Sequence, residues 1–120
     1  MLLIVDDDRD LRDSLIDFLT IEGYEVHSAG NGREALEWFK GRTTYPGLIF
    51  LDIVMPVLDG WGFLQERCGD PLINLIPIVV MSGSLGVADR AMAAGAVHVL
   101  QKPFGGKDML PVIERFLAAA

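Results

Sequence analysis

The chain has 120 residues, 51% of them hydrophobic and 22% charged, with a formal net charge of −7 and one cysteine, Cys68. This length suits one domain with one core, and the composition is that of a globular rather than a disordered chain. The acidic balance argues against direct contact with nucleic acid, where lysines and arginines must replace phosphate counterions. A lone cysteine excludes a disulfide framework and a cysteine-rich metal cluster.

Residues 2–5 form a short apolar run that ends abruptly at Asp6, Asp7 and Asp8. The run is too short for a signal peptide, and nothing later is apolar for long enough to span a bilayer, so a cytoplasmic protein is expected. Leu11, Leu15, Phe18 and Leu19 recur at helical spacing and predict a first helix. Asp8 suits its N-cap better than a metal site. Residues 24–28 are more polar and read as an edge strand. Asn31 is a candidate N-cap for a second helix carrying Ala35, Leu36 and Phe39.

Residues 48–51, 78–81 and 97–100 are further apolar runs without polar alternation, as expected of parallel strands covered on both faces. Helices are predicted at about 59–68, 86–94 and 107–118, with Pro111 awkward in the last unless it lies in the first turn. Residues 118–120 read as a small tail. Five βα units in series predict an α/β fold: a five-stranded parallel doubly wound sheet flanked by five helices. Among the doubly wound topologies, the flavodoxin-like order 2-1-3-4-5 is chosen, although alternation alone does not fix it. Residues 1–120 then form one domain.

In such sheets ligands bind beyond the carboxyl ends of the strands. Those ends carry Asp6, Asp7 and Asp8 after strand 1, Asp52 after strand 3, Ser82 after strand 4 and Lys102 after strand 5. Crowded carboxylates are relieved by a hard cation such as Mg²⁺, which prefers oxygen ligands and leaves room for phosphate oxygens. A carboxylate can also act as a nucleophile and form an acyl phosphate. Simpler readings exist for each residue alone. The acidic run suits a helix N-terminus, Asp52 a turn, Lys102 a solvated surface and Ser82 a cap for the next helix. His27 and His98 lack partners at metal-ligand spacing, and Trp38 and Trp61 suit packing.

The runs LLIVDDD, LIFLDIVMPVLDGWGFL, PIVVMSG and GAVHVLQKPF resemble, in order and spacing, the signature segments of two-component response-regulator receiver domains. The resemblance covers essentially the whole chain. It implies a phosphorelay protein in which Asp52 is the phosphoacceptor. Asp7 would ligate Mg²⁺ directly, Asp6 mainly through water, and Asp52 and the backbone carbonyl of Val54 would complete the protein's share. Ser82 and Lys102 would bind phosphoryl oxygens, and Pro103 would follow a cis peptide. The implied donors are a histidine kinase or a histidine phosphotransfer domain, with a possible output domain or downstream protein as the reader. The role is signalling rather than enzymatic turnover.

Three other readings compete. A flavodoxin-like nucleotide binder wants a Gly/Ser/Thr phosphate loop where this chain has aspartates. An aspartyl-phosphate hydrolase typically carries a second acid two residues past its nucleophile, where Val54 stands. A phosphorylation-independent pseudo-receiver is the alternative reading, and the intact set of Asp6, Asp7, Asp52, Ser82 and Lys102 argues against it. Two departures from the family pattern stand out. Val99 occupies the position, three before the lysine, that is usually aromatic, so the response to phosphorylation is expected chiefly at residues 82–86. Gly105 and Gly106 stand where relatives place an acidic cap, which predicts a looser start to the last helix.

Overall fold

The computed structural model describes residues 1–84 and 86–117. The tail at 118–120 lies outside the described residues, as does Leu85 within the 82–86 loop. Among the described residues the elements run β1 (Leu2–Val5), α1 (Arg9–Ile21), β2 (Val26–Ala29), α2 (Gly32–Trp38), β3 (Leu48–Asp52) and α3 (Gly60–Arg67). A 3₁₀ turn (Ile73–Leu75), β4 (Ile78–Ser82), α4 (Val87–Ala93), β5 (His98–Gln101) and α5 (Gly106–Phe116) follow. All strand pairs are parallel, in the order β2-β1-β3-β4-β5. The expected fold and strand order are therefore those observed.

The central strands are buried on both faces because their side chains alternate between two apolar layers. Leu3, Val5, Ile49, Leu51, Ile78 and Val80 point to one layer, where Ala35, Phe63, Leu64 and Ala91 of α2, α3 and α4 close the core. Leu2, Ile4, Leu48, Phe50, Val79 and Met81 point to the other, against Leu15, Leu19, Met109, Val112 and Ile113 of α1 and α5. Among the described residues β2 and β5 are the edge strands, and most of their residues are only partly buried, with Ala29 buried and Gln101 exposed. β5 thus departs from the expectation that residues 97–100 are covered on both faces, because no strand follows it in the sheet.

Two helix starts follow the predicted caps, Asp8 and Asn31, and α3 adds a third of the same kind at Asp59. The side chain of Asp8 accepts from Leu11 N at 3.1 Å, Asn31 from Glu34 N at 2.8 Å, and Asp59 from Gly62 N at 2.8 Å. One boundary and two details of α5 differ from expectation for identifiable reasons. β2 begins two residues late because α1 ends in a Schellman turn: Gly23, at φ 98°, and Tyr24 donate back to Thr20 O and Leu19 O. Tyr24 is thereby committed to the cap rather than the sheet. α5 does not start loosely. Asp108, three residues in, accepts from Gly105 N at 2.8 Å, and a Cβ on Gly106 would strike the Phe18 ring, so glycine lets α5 close on α1. Pro111 is the sixth residue of α5, not in its first turn. Both it and Lys107, whose carbonyl its missing N–H would serve, are exposed, so the lost bond lies between two solvent-exposed residues.

One buried charge escaped the sequence reading. Arg67 is 5% exposed and donates to the carbonyls of Asn74 and Ile76, at 3.3 and 3.2 Å, and of Gly95 at 3.3 Å. Burial lowers its pKa from the ordinary value. Its spacing from Phe63 and Leu64, at i+4 and i+3, already placed it on the apolar stripe of α3, which is the signal that could have found it.

Candidate functional site

The parallel register brings the ends of β1, β3, β4 and β5 to one rim. Val5 pairs with Leu51, Asp52 with Met81, and Ser82 with Gln101, so the residues that follow converge there. Asp6 is fully buried, and its backbone N–H continues the ladder to Ala29 O at 3.1 Å. Its side chain divides its work. Oδ1 accepts from Asp8 N at 2.9 Å, and Oδ2 pairs with Lys102 Nζ at 2.9 Å. Asp7 is exposed at the start of the rim.

Asp52 closes β3 and is 6% exposed. Its Oδ1 accepts from Ile53 N at 2.9 Å and lies 3.4 Å from Lys102 Nζ. Among the described residues no hydrogen bond falls on Oδ2. Burial is the largest influence on this carboxyl, and the nearby charge of Asp6 adds to it. Together they raise its pKa from 3.8 to about 6 against the attraction of Lys102 and the Ile53 N–H. Burial acts downward on the Lys102 ammonium, but the hydrogen bond and charge of Asp6, then those of Asp52, outweigh it and raise its pKa. The lysine is thus held charged between two acids. The peptide between Lys102 and Pro103 is cis.

One carboxylate oxygen each from Asp6, Asp7 and Asp52 lies within 4.8 Å of the others. At that separation each pair of ionised groups repels by at least about 3 kcal/mol in a medium of effective dielectric near 20. One lysine cannot offset three carboxylates. The donor set is all oxygen, and it contains the one or two carboxylates that Mg²⁺ takes while keeping water or phosphate in its remaining positions. The residues therefore fit a hard divalent cation. Val54 follows Asp52 by two residues and is 76% exposed.

Ser82 ends β4 and is buried. Its carbonyl accepts from Lys102 N at 2.7 Å, while its Oγ accepts from Ser84 N at 3.0 Å. The hydroxyl is thus engaged with its own loop rather than with Asp52 or Lys102. Gly83 packs close to the lysine: a Cβ there would lie 3.9 Å from Lys102 Cβ. Among the described residues the rim therefore gathers Asp6, Asp7, Asp52 and Lys102 directly, with Ser82 one strand away.

The loop from β3 to α3 holds a feature that the sequence did not announce. Leu58 N donates to Pro56 O at 2.8 Å across Val57, which has φ 69°. That is a γ-turn of the strained kind, centred on an 81% exposed β-branched residue. The turn is pinned on both sides: Leu58 O accepts from Gly32 N, and Ile53 O accepts from Gly60 N, each at 2.8 Å. Elsewhere, an open groove of about 390 Å³ lies between α2 and α3, lined by Arg33, Phe39, Tyr45 and Glu66 among others. It shares no residue with the acidic rim. His27 packs against Trp38 and His98 against Phe116, and neither joins the rim.

Residues 2–114 match the family model described as the response regulator receiver domain. The chain is 40% identical over 121 residues to "Probable transcriptional regulator ycf27" of Porphyra purpurea, covering 99% of this chain and 48% of that protein. It is 38% identical over 113 residues to response regulator MprA of Mycolicibacterium vanbaalenii, covering 91% of this chain and 46% of that protein. The chain thus spans about half the length of these curated relatives. Among solved structures, chemotaxis response regulator CheY4 of Vibrio cholerae superposes with a TM-score of 0.86 at 30% identity, over 97% of both chains. The receiver domain of NtrX from Brucella abortus gives 0.84 at 34% identity, over all of both chains.

Proposed function

The chain belongs to the response-regulator receiver domain family, and on that premise we propose that it accepts a phosphoryl group on Asp52 from a phosphohistidine donor. The observation that carries this reading is the division of labour within the Asp52 carboxylate. Oδ1 is held by Ile53 N and Lys102, and Oδ2 is left for bond formation. Attack of Oδ2 on phosphorus breaks the P–N bond, and the imidazole leaves and recovers a proton, with an acyl phosphate left on the carboxylate. With a pKa of about 6 the group is mostly ionised at neutral pH, yet more basic than an ordinary aspartate.

Phosphoryl transfer requires alignment and compensation of charge on the equatorial oxygens more than covalent help. Lys102 supplies one positive charge and Ser82 a hydroxyl. Asp6, Asp7, Asp52 and the backbone carbonyl of Val54 would hold Mg²⁺, which supplies further positive charge to the phosphoryl oxygens when bound. Asp7 takes the direct contact and Asp6 the water-mediated one. The donor is a histidine kinase or a histidine phosphotransfer domain. The reader is an output domain or downstream protein, and this domain makes no direct contact with nucleic acid. Among the described residues no helix is long and apolar enough to cross a membrane; we place the protein in the cytoplasm, as a signalling acceptor rather than an enzyme.

Incubation with acetyl phosphate and Mg²⁺, followed by peptide mass spectrometry, tests the assignment. Asp52 is expected to carry the label and Asp52→Asn to abolish it; undiminished labelling of that variant at another residue would overturn the assignment. Millimolar Mg²⁺ is expected to raise the melting temperature of the wild type and not that of Asp7→Ala, because an ion that binds only the folded state stabilises it. An equal rise in both would count against the metal site.

A further inference from the structure

α4 has little to hold it. Ala91 is its one buried residue, its N-cap Gly86 sits at φ 83° with no side-chain bond, and Arg90 is exposed. Two side chains of α3 reach across to it. In the first turn of α3, the Trp61 ring carries the Arg90 guanidinium 3.9 Å from its centroid. At the far end of α3, buried Arg67 donates to Gly95 O at 3.3 Å. Gly95, at φ 102°, belongs to the Schellman turn that ends α4, in which Gly95 N and Ala96 N donate to Met92 O and Ala91 O. A Cβ on Gly95 would lie 2.8 Å from Arg67 Nη2.

The two attachments differ in kind. Arg67 is buried and also holds the Asn74 and Ile76 carbonyls, so it is a fixed anchor. The Trp61–Arg90 contact is a single stack with an exposed cation, the weaker class of cation–π interaction. Trp61 is itself tied to the acceptor strand. The preceding Gly60 donates to Ile53 O, and a Cβ on Gly60 would run into the Asp52 carbonyl. One partner of the stack thus moves with the acceptor loop, and the other with the helix that follows Ser82.

We propose that the Trp61–Arg90 stack is a latch that holds α4 in its resting position and opens when Asp52 is phosphorylated, with the Arg67–Gly95 contact as the pivot. This rests on Asp52 being the phosphoacceptor. A contact present in only one of two arrangements biases the equilibrium by its own strength. For an exposed cation–π stack that bias is about two- to fivefold. With the released state as the minor one and the one that takes the phosphoryl group, loss of the latch raises its population, and with it the apparent rate of phosphorylation, by about the same factor.

The test uses the full chain with Trp38→Phe, so that Trp61 is the sole tryptophan. Acetyl phosphate with Mg²⁺ is expected to change Trp61 emission as the guanidinium leaves the ring. Arg90→Ala is expected to show the released emission before phosphorylation and to form the Asp52 acyl phosphate about two- to fivefold faster, read by intact mass. Arg90→Lys falls between it and wild type. Lys40→Ala, which removes the same charge away from α4, leaves the rate unchanged. If Asp52 is phosphorylated at the wild-type rate in Arg90→Ala and Trp61 emission ignores phosphorylation, the latch is wrong and the acceptor assignment stands. If no acyl phosphate forms on Asp52 in any variant, both fall.

Discussion

In metal-free protein, Asp52→Asn is expected to stabilise the fold at neutral pH, and to do so less as the pH falls. The carboxylate is 6% exposed and its pKa is raised from 3.8 to about 6, mainly by burial and then by Asp6. As pH rises past 3.8 the unfolded chain releases this proton, whereas the folded chain keeps it until about 6. The folded state therefore binds more protons across that window, and stability falls as pH rises through it. Above about pH 6.5 the whole cost is present, about 3 kcal/mol for the interval between the two values. Asparagine has nearly the same shape and can still accept from Ile53 N, but it carries no charge. Lys102 keeps its 2.9 Å pairing with Asp6. The gain from the substitution is then about 3 kcal/mol at pH 7.5 and about 1.5 kcal/mol at pH 5. Measurement closer to the isoelectric point of about 4.6 invites precipitation. Urea unfolding followed by circular dichroism, in a chelator at those two pH values, reads both numbers. An Asn variant less stable than wild type at pH 7.5, or a gain that does not shrink at pH 5, would refute the view of Asp52 as a costly buried charge.

Three other substitutions probe the surroundings. Val57→Gly relieves the positive φ of 69°, and after the greater chain entropy of glycine is subtracted it is expected to stabilise by up to about 1 kcal/mol in a thermal melt; a lower melting temperature would show that the turn is not strained. Arg67→Met leaves the carbonyls of Asn74, Ile76 and Gly95 without their donor. Relief from burying the cation offsets part of that loss, so urea unfolding should show a deficit of about 2 kcal/mol, and unchanged stability would count against the anchor. Val54→Asn places an amide beside the acceptor, where the exposed valine offers no hydrogen bond to an attacking water. Its acyl phosphate is expected to decay faster, followed by intact mass, and an equal or longer lifetime refutes the idea.

Much of the fold was legible in the residues because the physics behind it is local. Apolar runs without alternation mark the central strands β1, β3 and β4, buried on both faces, and Asp8 and Asn31 mark helix starts, since an oxygen acceptor at that point satisfies otherwise unpaired N–H groups. That Asp6, Asp7, Asp52, Ser82 and Lys102 share one rim was also legible, because each ends a strand or follows one within two residues, and a parallel sheet carries all its strand ends to one edge. Tertiary structure decided the rest, through contacts between residues far apart in the chain. Only the assembled sheet puts Lys102 against both Asp6 and Asp52, and only the packing of α1 against α5 explains Gly106. The placement of Trp61 under Arg90, the caging of Arg67 by three carbonyls and the positive φ of Val57 belong to the same class. Each depends on how separate segments meet in space, a relation that spacing along the chain does not encode.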